Sequence, residues 1–486
     1  VGWALVKYSA GSGWFNLNLY DTSKLNERAW FDVQNGVVGT KDGFIIGHDM
    51  IDYGDGWWLC WASANANSTS GGISVEVPNA DGVVSCSAAD ELLIAGTQFY
   101  RSDLGGMVDS YTYVPTTTSV VYGPRVGHHI YDGSTWVNEG ILHESEARTN
   151  LVANSNDLTN AEWSKTRSSI TANAGVSPDG TSNANKLVID TTSGVHYTYL
   201  TEDLHTVSGD HTFSVYVAAA GYGFATICAG VGGTSDYYAV VIDLSDGTKT
   251  ATYTAGTHTD KTCTVEDVGG SYYRVSISGD GEKYYVVGGV DTGTYTPANY
   301  GYKTFSGDGT SGILVYGAQV EAGSTPSSYI PTAGATVTRA ADLLTVPAAN
   351  LPYDSTNMSI QIDGKMTGDN LVFTRWFKDA DNSILQKSGA ANFVFTQEES
   401  NVIDSSTGGS FTSDVNVAFN LASRHGSTVI NGAVDGTALT ADLTPTALPD
   451  LSVSDLTLGR TFMGTIGQFR MWDEDLTNAG IEEAST

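Results

Sequence analysis

Apolar residues recur at every second position through much of this chain, in short runs separated by glycine-rich turns. In "MSIQIDG" Met358, Ile360 and Ile362 share one face, and in "VNVAFNLASR" Val415, Val417, Phe419 and Leu421 do the same. That period belongs to a strand with one buried face. Asn431-Gly432 reads as a hairpin signal and Asp435-Gly436 as a turn. Only the C-terminal end reads as helix, a short segment with Thr477 or Asn478 placed to cap it and Glu482 and Glu483 following. The pattern predicts an all-β chain, with a two-sheet sandwich after Val346.

Comparison of the chain with itself adds a longer period. "WALVKYSAGSGWFNLNL" from Trp3 matches "FSVYVAAAGYGFATICA" from Phe213, with Gly11 and Gly13 opposite Gly221 and Gly223. "FDVQNGVVGT" from Phe31 parallels "IDLSDGTKTA" from Ile242; "IDYGDGWWLCWAS" from Ile51 parallels "VEDVGGSYYRVSIS" from Val265; "GTQFYRSDLGGMVDSYTYVPT" from Gly96 parallels "GAQVEAGSTPSSYIPT" from Gly317. The second copy opens near Glu146 and reaches its "FSVYV" strand only at Phe213, whereas the first has the equivalent strand at Trp3. The first copy's opening strands are therefore expected to lie outside this sequence. The expected division is a first unit over 1–124, a linker over 125–145, a second unit over 146–346 and the last sandwich over 347–486. Tyr329-Ile330-Pro331-Thr332 is expected to be the exit corner of the second unit, because Pro331 cannot donate a ladder hydrogen bond. Thr336 to Val346 then forms a tether in which Arg339 finds a carboxylate or carbonyl, and Tyr113-Val114-Pro115-Thr116 repeats the corner.

Composition narrows the partners. There are 54 acidic residues against 23 basic ones, a net charge of −31. A phosphate backbone would be repelled, so no nucleic acid is expected. Cys60, Cys86, Cys228 and Cys263 are too sparse for a disulfide framework and are expected to be buried free thiols. No run is long and apolar enough for a membrane span, and the first residues lack the features of a signal peptide.

Catalytic motifs are missing. No Glu-x-Asp-x-x-Glu string places two carboxylates on one strand face, and no nucleophile elbow, P-loop or His-Glu-x-x-His occurs. Glu398-Glu399 would point to opposite faces of a strand, and Asp473-Glu474-Asp475 leads into the helix. His128, His129 and His143 read as dispersed imidazoles, and Asp379-Ala-Asp381-Asn382 as a turn, since Ile384 stands where a calcium loop needs glycine. Sugar recognition needs flat aromatic faces beside amides and carboxylates. Trp14, Trp30, Trp57, Trp58 and Trp61 supply such rings early in the chain, and Tyr272 and Tyr273 repeat the pair in the second copy. One member of Trp57-Trp58 is expected to face in and the other out.

"EARTNLVANSNDLTNAEWSK", "SPDGTSNANKLV", "FSVYVAAAG", "GSYYRVSISG", "FSGDGTSG" and "GAQVEAGSTPSSYIPTAGATVTRAADLLTV" together resemble the carbohydrate-binding-like jelly-roll domains of tailed-phage fibres, spikes and other adsorption proteins. The C-terminal "LASRHGSTVINGAVDGT" and "LTLGRTFMGTIGQFRMWDEDLTNAGI" resemble a laminin-G, concanavalin-like sandwich. The resemblance implies tandem jelly rolls followed by a concanavalin-like sandwich. It also implies a non-catalytic virion protein, assembled in the host cytoplasm as a homotrimer with other virion proteins, that binds a host surface polysaccharide. By analogy with jelly-roll carbohydrate modules a calcium ion could tie first and last strands, with Asn154, Asn156, Asp157 and Glu321 as candidate ligands, and turn capping by the same residues is the preferred alternative. Head rather than tail attachment, a spacer without ligand, and a polysaccharide-degrading enzyme remain alternatives.

Overall fold

The computed structural model describes residues 1–21, 26–65, 71–99, 125–132, 134–200, 204, 209–230, 236–256, 261–280 and 284–486. The repeated corner at Tyr113–Thr116 lies outside them. The chain divides into two compact units, Val1–His128 and His129–Thr486.

The first unit is an antiparallel sandwich. Its strands are β1 (Gly2–Ala10), β2 (Trp14–Asp21), β3 (Asn26–Asp32), β4 (Val37–Lys41), β5 (Ile45–Gly54), β6 (Trp57–Ala64), β7 (Gly71–Glu76) and β8 (Glu91–Phe99). They form two four-stranded sheets, β5-β6-β1-β8 and β4-β3-β2-β7. Alternation along the strands decides what goes inside: Ala4 and Val6, Phe15, Leu17 and Leu19, Ala29 and Phe31, and Cys60 and Ala62 fill the space between the sheets.

The division between the units falls within β9 (Arg125–Tyr131), and β10 (Trp136–Glu144) and β11 (Arg148–Asn150) open the second unit. A larger sandwich follows: β12 (Trp163–Thr166), β13 (Ser168–Gly175), β14 (Ala184–Ile189), β15 (Tyr197–Leu200), β16 (Asp210–Ala220), β17 (Phe224–Gly230), β18 (Tyr237–Asp243), β19 (Lys249–Ala255), β20 (Thr262–Asp267), β21 (Tyr272–Asp280), β22 (Tyr284–Val290) and β23 (Gly312–Ala322). Its six-stranded sheets run β13-β14-β23-β16-β21-β20 and β12-β15-β22-β17-β18-β19. Strands β16 to β23 therefore repeat β1 to β8 in order and in pairing. The registers agree too: Val6 lies opposite Trp58 as Val217 lies opposite Tyr273. The pairing of β1 with β8 slips beside Leu5, and that of β16 with β23 slips at the equivalent Tyr216. The second sandwich differs by the two strands added to one side of each sheet, β14 and β13 on β23, and β15 and β12 on β22.

The chain leaves this jelly roll through β24 (Val337–Arg339), which pairs with β11, and β25 (Leu344–Val346). The last sandwich comprises β26 (Asn357–Met366), β27 (Val372–Asp379), β28 (Asn382–Ser388), β29 (Phe393–Glu399), β30 (Val402–Gly408), β31 (Val417–Gly426), β32 (Ile430–Val434), β33 (Thr437–Ala438), β34 (Leu456–Leu458), β35 (Met463–Trp472) and the helix α1 (Thr477–Ala484). A seven-stranded sheet, β33-β32-β31-β26-β35-β10-β9, faces a six-stranded one, β25-β34-β27-β28-β29-β30. Phe373, Phe419 and Phe462 meet in the core between them.

Several expectations change. Residues 125–145 are not a linker: they supply β9 and β10, and Ile141 to Glu144 pair with Ile466 to Met463. Asn431-Gly432 is no hairpin turn but lies inside β32, where a side chain on Gly432 would meet the ring of Phe395 at 2.1 Å. The turn is at Asp435-Gly436, both with positive φ. Neither Thr477 nor Asn478 caps α1; its N-cap is Leu476, and the Asp475 carboxylate accepts the Thr477 N–H. All four cysteines are free, but only Cys60 and Cys228 are buried and Cys86 is exposed.

The exit corner is a buried polar joint. Tyr329 packs its ring on Tyr216 and Tyr316 and pairs its hydroxyl with that of Ser155 at 2.7 Å, and Ile330 is buried. Arg339 lies 3.5 Å from the Glu144 carboxylate and donates to the carbonyls of Glu144 and Glu146. The Glu144 carboxylate in turn accepts the Ser328 N–H and hydroxyl, both at 2.6 Å.

Candidate functional site

The face of β4-β3-β2-β7 turned away from the core is polar and aromatic. Phe15, Leu17 and Leu19 point inward, so Trp14, Asn16, Asn18 and Tyr20 point out. Register places Asn16 between Trp30 and Glu76, and Asn18 between Arg28 and Ser74. Arg28 pairs with Glu76 through two hydrogen bonds, of 3.0 and 3.2 Å, linking β3 to β7 across β2. The hydrogen bond from Arg28 holds the Glu76 carboxyl below the usual carboxylate range against a smaller opposing effect of burial.

Beside this pair lie amides without good partners. Asn16 is fully buried and neither amide atom makes a well-formed hydrogen bond, although its amide also helps to lower the Glu76 pKa. Asn18 donates to Asn26 at 3.0 Å, but its carbonyl oxygen is buried without a donor. Such groups are costly in a protein interior unless something pairs with them. Trp30 donates its indole N–H to the Val83 carbonyl at 2.7 Å, and Trp14 lies on Gly39, where a side chain would meet its ring at 2.6 Å. Tyr20 is 44% exposed at the far end of β2.

The equivalent face of the second unit is closed. Thr226 and Cys228 stand where Asn16 and Asn18 stand, flanked by Val241, Ala239, Gly288 and Val286. The segment after β22 lays tyrosines over them: Tyr295 pairs its hydroxyl with that of Thr226 at 2.8 Å, and Tyr302 donates to the Thr226 carbonyl at 2.6 Å. The Tyr302 ring covers Gly288, and burial pushes the Cys228 thiol, Tyr295 and Tyr302 upward in pKa. One scaffold thus carries a polar face in its first copy and a tyrosine-sealed one in its second.

The expected ring platforms fare differently. Trp14 and Trp30 come together on the polar face, but Trp30 is only 4% exposed and acts as a wall rather than a platform. Trp57 and Trp58 belong to the other sheet; Trp58 packs on the core beside Gly36, and Trp57 lies outward near Lys7, with Trp61 on its side of β6. Tyr272 and Tyr273 are buried, at 3% and 7% exposure, so neither offers a face to a sugar.

Of the four proposed calcium ligands, the two carboxylates accept hydrogen bonds and the two asparagines donate through their amide nitrogens, while the Asn156 Oδ1 is buried without a donor. Asn154 bonds to Glu162, Asn156 to the Asn183 carbonyl, and Asp157 accepts from Thr159. Glu321 is fully buried and accepts from Gln319 and Ser327, with Arg148 at 4.0 Å. Among the described residues no group of three or more His, Cys, Asp or Glu is placed to hold a metal ion. His143 is buried with its Nε2 on the Gly459 carbonyl at 2.7 Å, and Asp379 caps a turn through Asp381 and Asn382.

Sequence reading missed Asn16, Asn18, Arg28 and Glu76. A signal was present: asparagine is depleted in strands, yet in "WFNLNLY" two of them alternate with core residues. A concavity of about 410 Å³ lies in the last sandwich and is lined by Asn138, Glu139, Asp363, Lys365 and Gln468, with Lys365 paired to Glu139 at 2.7 Å. No helix among the described residues is long and apolar enough to cross a membrane.

No protein-family model matches the chain, and no curated protein matches it. Among solved structures, domains LG4-5 of the mouse laminin alpha1 chain are 11% identical with a TM-score of 0.23, over 60% of this chain and 88% of that one. The LG1-3 region of the laminin alpha2 chain is 10% identical with a TM-score of 0.21, over 98% of this chain and 96% of that one. The class of this fold, an all-β series of sandwiches, rests on the sheets themselves.

Proposed function

We propose that this chain is a non-catalytic adhesin of a tailed-phage particle, and that the outer face of β4-β3-β2-β7 binds a host surface polysaccharide. The phage setting, the homotrimer and assembly in the host cytoplasm rest on the resemblance of the jelly-roll motifs. The observation that carries the glycan reading is the part-exposed Arg28–Glu76 ion pair, on a face that also carries Trp14 and the exposed Tyr20 above the buried amides of Asn16 and Asn18. Sugar hydroxyls both donate and accept, so a vicinal pair matches a guanidinium beside a carboxylate. Glu76 is poorly suited to proton donation, because Arg28 stabilises its ionised form.

Retention of purified capsular polysaccharide and lipopolysaccharide O-chains by the intact chain should fall at least about tenfold in Arg28→Ala, the value of one lost hydrogen bond of about 1.4 kcal/mol to the ligand. Its melting temperature should be close to that of the parent. Unchanged retention by a folded Arg28→Ala chain would refute the site.

A further inference from the structure

The outer face of β25-β34-β27-β28-β29-β30 departs from the acidic character of the chain. Phe373, Trp376, Ile384 and Phe395 fill the core, so alternation and register turn Arg375 and Phe377 of β27, Leu385 and Lys387 of β28, and Val394 of β29 outward. Lys387 stands between Val372 and Val394, and Leu385 beside Arg375. Val372, Leu385 and Val394 are half-buried and lie outside the core of the sandwich. The Arg375 guanidinium stacks on Phe377, 3.4 Å from the ring centroid. Burial, and then the charge of Arg460 just beyond β34, lower the Arg375 pKa. The side chains of Arg375, Lys387 and Arg460 make no hydrogen bond or ion pair with any described residue. Glu398, on the same face, accepts the Ser383 hydroxyl at 3.3 Å, and Asp455, just before β34, accepts the Ala348 N–H at 2.9 Å. With 54 acidic residues against 23 basic ones in the chain, bases gathered here without a carboxylate are an exception.

We propose that this face docks an acidic polypeptide segment of a partner protein, with its carboxylates on Arg375, Lys387 and Arg460 and its apolar side chains on Val372, Leu385 and Val394. Charge complementarity sets the sign of the partner. A guanidinium held flat on a ring keeps its N–H edge free, and that edge meets a carboxylate through two parallel hydrogen bonds. The aliphatic side chains among the cations set its class. A sugar asks for aromatic faces and hydrogen-bonding groups, and a single-stranded nucleic acid for stacking rings. Aliphatic side chains flanked by charge instead match a protein segment that buries an apolar centre within a polar rim. The net charge of −31 works against a long polyanion, so the attraction is local to this face. The proposal stands apart from the glycan reading of the first unit, which uses neither this sheet nor these residues.

The test is fluorescence anisotropy of a labelled synthetic peptide of alternating glutamate and leucine, titrated with the intact chain at low ionic strength. Binding should saturate and should weaken about tenfold in Arg375→Ala, the value of one charge-assisted hydrogen bond. Lys387→Ala, which leaves the Arg375–Phe377 stack in place, should weaken it as well, by a smaller factor, with an unchanged melting temperature. Dextran sulfate and a DNA oligonucleotide, titrated in the same way, should bind more weakly than the peptide. Absence of peptide binding overturns the proposal, as does equal binding by the folded Arg375→Ala and Lys387→Ala chains. So does tighter, Arg375-dependent binding of dextran sulfate or of the oligonucleotide.

Discussion

Replacing Glu321 by alanine should lower the melting temperature of the second unit by roughly 10 °C. Glu321 sits in β23 with no exposed surface, accepting from Gln319 Nε2 at 2.7 Å, the Ser327 N–H at 2.8 Å and the Ser327 hydroxyl at 2.6 Å. Arg148 stands 4.0 Å away and is itself 8% exposed, also bonded to Glu146 and the Ala322 carbonyl. Deleting the carboxylate takes the charged acceptor from a buried amide, a backbone N–H and a hydroxyl, while Arg148 keeps Glu146 and the Ala322 carbonyl. Hydrogen bonds to a charged group are worth about 1.5–3 kcal/mol each, so the loss is about 3–5 kcal/mol, and each kcal/mol moves the transition of a unit this large by about 2–4 °C. Glu321→Gln keeps an acceptor and should fall between the two. A chelator should leave the transition where it is, because arginine and serine already satisfy the carboxylate that the jelly-roll analogy assigned to calcium. A fall in melting temperature on chelation would restore the metal reading.

The second large effect is acid loss of stability in the last sandwich. His425 in β31 is 1% exposed; its Nε2 meets the Ser423 hydroxyl at 2.9 Å and its Nδ1 has no hydrogen bond. Burial pushes its pKa down to about 3. The unfolded chain takes up this proton near pH 6.5, so the folded state keeps its full advantage above that pH and loses it as the pH falls from about 6.5 toward 3. The slope approaches about 1.4 kcal/mol per pH unit, or about 2 kcal/mol by pH 5. Hydrogen exchange in β26 and β31 at pH 7 and pH 5 reads this directly, and His425→Leu should flatten the difference. In the jelly roll the contrast is Asp179. Burial opposes its ionisation, but hydrogen bonds from Ser177, Thr181 and Tyr316 hold it at about 2. Its contribution is lost only as the pH falls from about 4 toward 2. Equal loss in both sandwiches between pH 7 and pH 5 would contradict the assignment to His425.

What could be read from sequence was what local pattern encodes. Alternation gave strands, and the paired glycine turns and aromatic doublets gave a repeat that reappears as one strand order in two sandwiches. The corner at Tyr329 was legible because proline restricts its neighbours, and Arg339 because a lone base in an acidic chain will find an acceptor. Features that depend on distant partners were not legible. "WVNEGILHE" reads as a polar connector, yet it becomes β10 by pairing with Met463 to Ile466 at the far end of the sequence. Glu321 looks like a free carboxylate until Arg148 and Ser327 are brought to it. Aromatic doublets mislead for a related reason: Tyr272-Tyr273 and Trp57-Trp58 occupy equivalent positions, but the tyrosines are buried and the tryptophans half-exposed. Composition cannot separate a ring that builds a core from one that meets a sugar. The Asn16 and Asn18 alternation is the sharper signal, because asparagine is a poor strand former and two of them recur on one face of β2.

The most direct test of the glycan reading is a crystal structure of the intact chain with a bound oligosaccharide from the host surface polysaccharide. The account predicts a sugar ring on the outer face of β4-β3-β2-β7, within hydrogen-bonding distance of Arg28 or Glu76 and against Trp14 or Tyr20. A sugar seated instead in the concavity lined by Asn138, Glu139 and Lys365, with the first unit's face empty, would contradict it.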